Sequence, residues 1–512
     1  MIRIASRSLA IVLALIAVGI PLAWFVLLRP VPQPATNDPL QVFNHGSIGN
    51  ESSQGLPYWI WRVLPTLFPE YLPSNQDGYG SIGVFWQPGE ELPVGFSKKT
   101  LGVIPRVAPN CAFCHQGSYR LHESDPAVFV AAGAGTRVNI QGFIRFLSAI
   151  GRNKERFSAD RVMAAITAIY DMPFAERILY RYVLIPAVRK GFEQQATRFA
   201  WMDARLDCAL NGSGKDDHPR DTLRPDWGPG RIDPFNPVKF FNLKLPDDCT
   251  IGNSDIMPLW HFDTVTDPSR AYSLHWDGLS TNLRETAVAG AIGDGMDYQG
   301  FTVAKADLDA VINFVRLQPP PPSPFSARLN DQDKDPYHLD PKQIEDGKKL
   351  YSEHCAICHE PGQARYRTVI PATELGTDRH RIDMWTEAAK DRYANYREGG
   401  YDWGFKAFHK TNGYVANELS GLWLRGPYLH NGSVPTLRDL LAPPGNRPPT
   451  FYRGYDLVDK DNGGFVSKGG AAERLGLLYD TSLPGNANVG HLYGTELTVD
   501  QKDALVAFLK TL

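Results

Sequence analysis

The stretch 340–360, DPKQIEDGKKLYSEHCAICHE, decides how the chain is read. Asp340 followed by Pro341 is a helix start: a carboxylate that accepts from free backbone N–H groups, then a proline whose missing N–H costs nothing at the first helical position. The helix so begun runs into Cys355-Ala-Ile-Cys358-His359. Two thiols at that spacing bond the vinyl groups of a haem, and the adjacent imidazole supplies an iron ligand. The pattern recurs at Cys111-Ala-Phe-Cys114-His115. A thioredoxin-like pair needs a βαβ context, and a zinc site needs further thiols or imidazoles at matching spacing; neither surrounds these motifs. The residues read as two covalently bound haem c groups, attached at Cys111, Cys114, Cys355 and Cys358, with His115 and His359 as iron ligands.

Outward from the motifs the chain falls into two halves. Each closes in a short amphipathic helix, DLDAVINFVRL in the first and QKDALVAFLKTL in the second, the latter starting at Thr498 or Asp500. The proline run PPPPSP at 319–324 separates them, because proline ends helices and stiffens linkers. Apolar spacings of three and four predict helices in NIQGFIRFLSAIG and ERFSADRVMAAITAIYDM, with another over 186–209. Residues 31–100, rich in Pro, Gly and aromatics, read as short helices and loops packed on the first haem unit. The expected fold is mainly α: an N-terminal transmembrane helix over 1–30, the extension 31–100, an N-terminal haem c domain 101–318, a linker 319–340 and a C-terminal haem c domain 341–512.

Arg3 and Arg7 precede an uncharged run from Ser8 to Leu28. That run matches the roughly 20 residues of a membrane span and lacks a good cleavage site. It is read as a signal anchor, with a cleaved export signal as the alternative, and basic residues before it place the rest on the periplasmic side. The formal net charge of -3 gives no nucleic-acid surface. Two further cysteines, Cys208 and Cys249, are spaced to close a disulfide loop of about 40 residues in an oxidising compartment.

The second axial position separates an electron-transfer iron from a reactive one. For the His359 haem the candidates are His491 in NVGHLYG, then His430 and Met384. For the His115 haem the stretch 261–285 offers His261, His275 and Trp276.

Taken with CAFCH, the motifs GPGRIDPFN (228–236), PLWHFD (258–263), LHWDG (274–278), GTD (376–378) and LRGPYLHNGSVPTLRDLL (424–441) resemble the bacterial dihaem cytochrome c peroxidase and MauG superfamily, which includes the dihaem rubber oxygenases. The resemblance covers roughly 100–512. It implies an electron-transfer haem on His359 feeding a peroxide-reactive haem on His115, Trp276 between the haems, and Asn236 beside an interdomain calcium ion. It also implies a small redox protein or a membrane donor as partner. Departures from the peroxidase pattern are marked. Leu279 replaces an arginine after WDG, Thr286 stands near a glutamine position, and Gly295 and Met296 stand where a glutamate is expected. Glu285 or Asp294 are the available substitutes. NVGHLYG resembles the second histidine ligand of the rubber oxygenases, and Trp260 and His275 fall where their distal residues would be. The expected activity is peroxidase-type oxidoreduction, with oxygen-dependent cleavage of an unsaturated hydrocarbon, or plain electron transfer, as alternatives.

Overall fold

The computed structural model describes residues 2–27, 29, 31, 38–73, 78–204, 224–262, 272–327 and 336–512, with side chains in the first helix from residue 13 onward. Helix accounts for 44% and strand for 12%, so the mainly α expectation needs correction. The missed element is a hairpin, Phe96–Leu101 against Ile104–Pro109, extended by Leu56–Pro57 into a three-stranded sheet. Its prolines masked the strand pattern: Pro105 and Pro109 lack an N–H, and on this middle strand they fall outside the two residues, Arg106 and Val107, that Leu56–Pro57 pairs.

The first helix, Ile2–Leu27, corrects a second expectation. No helix among the described residues is long and apolar enough to cross a membrane. The C-terminal end of Ile2–Leu27 joins the hairpin, where Val103 N–H donates to the Val26 carbonyl (3.0 Å).

Other elements follow local chemistry. Asn139 caps Ile140–Arg152 by accepting from Gly142 N–H, and Ser158 caps Ala159–Thr167. Asp340 caps Pro341–His354 by accepting from Lys342 N–H. The last helix, Val499–Lys510, begins at Thr498 in a reciprocal cap with Gln501. It packs on Pro341–His354 at Gly347, where a Cβ would stand 2.0 Å from the Ala504 carbonyl oxygen. Only glycine lets the two backbones approach so closely. Tyr351 and Phe508 seal the crossing, ring centroids 5.2 Å apart.

The hairpin, helix Tyr58–Leu67 and the helices Ile140–Arg152 and Ile185–Arg198 enclose one aromatic core. Trp61, Phe96, Phe113 and Phe143 run through it in contact, and Phe113 lies inside the first CxxCH motif. Behind that motif Gly95, at φ +91°, is pressed against Phe113, whose Cα would lie 2.3 Å from an added Cβ. Cys249 is disulfide-bonded, and its expected partner Cys208 lies outside the described residues.

Candidate functional site

Both CxxCH motifs form single helical turns, Cys111–Cys114 and Ala356–His359, with all four thiols free. Asn110 anchors the first turn. Its Oδ1 accepts from Ala112 N–H (3.0 Å), while its Nδ2 donates to the Gly46 carbonyl (2.9 Å). Each motif histidine is oriented identically. Nδ1 of His115 faces the Met257 carbonyl at 2.9 Å, and Nδ1 of His359 faces the Asn417 carbonyl at 2.6 Å. A carbonyl only accepts, so Nδ1 carries the proton and Nε2 is left as the ligating atom. Burial lowers the pKa of both imidazoles, to about 4 for His115, against a smaller opposing pull from the carbonyl. Both are therefore neutral and metal-competent at pH 7.

The first motif opens on a cavity of about 590 Å³. Helix Leu283–Gly293 forms one wall with Leu283, Thr286, Ala287, Gly290 and Gly293, followed by Asp294. Those positions recur at three and four, and most are small. A Cβ at Gly290 would meet nothing within 4 Å. His275, Trp276, Phe235 and Arg381 complete the opposite side. Nε2 of His275 and Oγ1 of Thr286 are buried without a partner. Burial, then Arg381 and His115, hold the His275 imidazole down at about 3. His275 also has φ +65°, a left-handed conformation that an imidazole-bearing residue adopts only when its surroundings impose it. An apolar cavity with two adjacent thiols, an oriented imidazole and orphaned polar atoms fits a haem held by Cys111, Cys114 and His115.

In the neighbourhood of the second motif lies a further buried imidazole, His491. His491, at φ +49°, donates its backbone N–H to the Leu375 carbonyl (2.8 Å). Arg447 grips the same loop through the carbonyls of Asn488 (2.6 Å), Gly490 (2.9 Å) and His491 (3.3 Å). Burial, then the neighbouring His359 and Arg447, lowers His491 to about 4. Its Nδ1 is buried without a partner. Of the rival ligands, His430 stacks on Tyr414 (3.9 Å) with its Nε2 likewise buried and unpartnered, and Met384 is buried with Trp385 and Phe235 in the core.

Trp276 connects the two regions. Its ring lines the first cavity and packs beside Ala372, Ile382, Tyr414 and Leu375 near the second motif. Its Nε1–H donates to the Asp255 carbonyl (2.7 Å). The next residue, Asp277, forms a buried two-pronged ion pair with Arg381 (2.8 and 3.2 Å). Sequence reasoning missed Arg381. Leu279 occupies the position expected to be basic, and guanidinium groups reach this cavity from other segments, Arg381 beside His275 and also Arg106 and Arg198.

Three expected site residues stand apart from the cavity. Glu285 is one position off the cavity face of its helix, and its Oε2 accepts from Ala407 N–H (2.8 Å). Met257 and Leu259 face the cavity, so extended-chain alternation turns Trp260 away; its indole N–H donates to the Ala131 carbonyl (3.3 Å). Asn236 is buried, and its carbonyl oxygen faces the Lys239 ammonium (3.1 Å) where calcium was expected. Among the described residues no group of three or more His, Cys, Asp or Glu could hold a metal ion. The residues at Asn236 do not fit calcium.

Residues 413–453 match the family model described as RoxA-like, cytochrome c-like. Two uncharacterized proteins of Sinorhizobium fredii are similar in part. One, y4iJ, is 43% identical over 108 residues, covering 19% of this chain and 18% of its own length. The other, y4iM, is 29% identical over 197 residues, covering 33% and 44%. The chain thus spans less than half the length of either relative. The matched segment contains Asn417, whose carbonyl orients His359, and Arg447, which grips the His491 loop. This chain therefore carries a RoxA-like, cytochrome c-like domain, which points to covalent haem c and haem-dependent oxidoreduction.

Proposed function

We propose that the chain is a periplasmic dihaem oxidoreductase with two unequal sites, and that its reactive site is oxygenase-like. The observation that carries this reading is the asymmetry of the second imidazole. The His359 site has His491 pressed toward it by a loop that Arg447 and Leu375 fix. The His115 site faces a roomy apolar cavity. Bound haem would supply an iron at each site, redox-active at both and open to a small oxidant only at His115.

The chain's own groups set what happens around that iron. Phe235, Phe143 and the small face of helix Leu283–Gly293 exclude water and admit an apolar substrate. Neutral His275 can hold or accept a proton at Nε2, and Thr286 Oγ1 lies on the same cavity wall. Glu285 is engaged elsewhere, which leaves Asp294, at the cavity wall, as the carboxyl able to deliver a proton there. The RoxA-like match supports the oxygenase reading. A second reading, a peroxidase drawing electrons from a small redox protein through the His359 site, is favoured by Trp276, which touches both regions.

The test is optical and paramagnetic spectroscopy of the purified protein with oxygen and, separately, with peroxide and a reduced donor. The oxygenase reading expects a spectral change with oxygen at one iron and slow donor oxidation by peroxide. Rapid donor oxidation would select the peroxidase. Two fully six-coordinate low-spin irons, indifferent to both oxidants, would refute both.

A further inference from the structure

The position where calcium was expected is filled by an ammonium. Lys239 has no exposed side-chain surface. Its Nζ is surrounded by Asn236 Oδ1 (3.1 Å), Asp248 Oδ1 (2.8 Å) and Oδ2 (2.6 Å), Thr250 Oγ1 (2.9 Å) and the Met384 carbonyl (2.9 Å). A calcium ion takes six to eight oxygens at about 2.3–2.6 Å. Here the oxygens stand at hydrogen-bond distance from a nitrogen. The set is nonetheless a cation cage, with one full negative charge from Asp248 and three neutral oxygen donors. It is also closed on itself. Thr250 Oγ1 bonds Asn236 Oδ1 and Asp248 Oδ1, and Asn236 Nδ2 donates to Asp233 Oδ2 (2.7 Å) and the Thr250 carbonyl (2.8 Å).

The cage joins distant parts of the chain. Asn236, Lys239, Asp248 and Thr250 belong to the segment that follows the first haem motif. Met384 ends the short helix His380–Met384 beyond the second motif. That helix also carries Arg381, whose guanidinium reaches the His115 cavity and pairs with Asp277. Lys239 therefore fixes one end of the element that delivers Arg381.

We propose that Lys239 is a tethered internal cation that takes the place of a bound metal ion at this seam and positions the 380–385 segment against the His115 cavity. A cation supplied by the chain cannot be chelated or exchanged, so the link between the regions is independent of calcium.

The test uses the full haem-loaded chain. For the native protein, melting midpoint and spectra are measured in excess chelator and after adding calcium. No change is expected, and a chelator-induced fall reversed by calcium would overturn the proposal. In Lys239→Met the stem is kept and the charge removed, leaving the half-buried Asp248 without its cation and the Asn236, Thr250 and Met384 oxygens without their donor. A fall in melting midpoint of about 3–5 °C is expected, and melting as in the native protein would overturn the proposal. Below the transition, and resting on the dihaem reading above, the His115 iron should change its spectrum while the His359–His491 low-spin signal stays. A variant that melts lower with both signals unchanged would refute the positioning role. If Lys239→Met fails to fold, the chelator arm still decides whether a free metal ion holds this seam.

Discussion

The two CxxCH regions share a motif and differ in almost everything around it. Beside His359 hydrogen bonds are committed to placing a histidine: Arg447 donates to the carbonyls of Asn488, Gly490 and His491, and the Leu375 carbonyl holds the His491 N–H. At His115 the surroundings hold space open. Helix Leu283–Gly293 turns small residues toward the motif, and His275 is fixed by its strained backbone rather than by a clamp on its ring. The same attachment chemistry thus yields a closed site and an open one. The determinant is how many groups are committed to placing a second ligand.

The comparison breaks most visibly at His491. His491→Ala should abolish the low-spin signal of one iron while both haems stay covalently bound, read by electron paramagnetic resonance and a haemochrome assay. His275→Ala should leave that signal intact and alter only the response to oxygen or peroxide. If the two variants gave the same spectral change, the two regions would not be unequal in the way described.

Arg381 belongs to the open site and to the seam. Arg381→Ala leaves Asp277 buried without its partner and should cost about 3–5 kcal/mol in denaturant unfolding. The double change to Met and Asn at Arg381 and Asp277 should cost less, because no charge is then stranded. Equal costs would mean that the pair contributes nothing by being paired. At the closed site, Gly347→Ala drives a methyl into the Ala504 carbonyl and should cost about 1–3 kcal/mol. It should loosen the helix pair behind Cys355 without touching the His115 cavity.

The smallest effect is a slope. Burial raises the Asp294 carboxyl from 3.8 to about 7 at the cavity wall. Between those values the native chain keeps a proton that the unfolded chain has lost, so this group makes stability fall as pH rises from about 4 to 7, then level off. Asp294→Asn should flatten that part of the profile. A profile of melting midpoint against pH in Asp294→Asn and in the native chain reads this slope.

Much of the local structure was legible in the residues. Asp340–Pro341, Asn139, Ser158 and Thr498 cap helices because a cap is a contact between near neighbours in sequence. The hairpin at 96–109 was not legible, because its prolines disguise strands that only pairing with Leu56–Pro57 and docking behind Phe113 stabilise. Within the site, His275 and Trp276 line the cavity as expected. Glu285 and Trp260 do not, since one position along a helix or an extended stretch turns a side chain away. The apolar run at the N-terminus matched a membrane span in composition. In the structure no described helix is long and apolar enough to be one.

The sequence by itself determined the pattern for haem attachment, because its two thiols and its imidazole are near neighbours in the chain, and it raised the expectation of two unequal sites. Only the tertiary structure decided which distant groups meet, including the Met257 and Asn417 carbonyls that orient the motif histidines. His491 and His359, Arg381 and Asp277, Lys239 and Met384 meet across more than a hundred residues of chain. Contacts at that separation depend on how helices and loops pack, and no local spacing encodes which pair will be brought together.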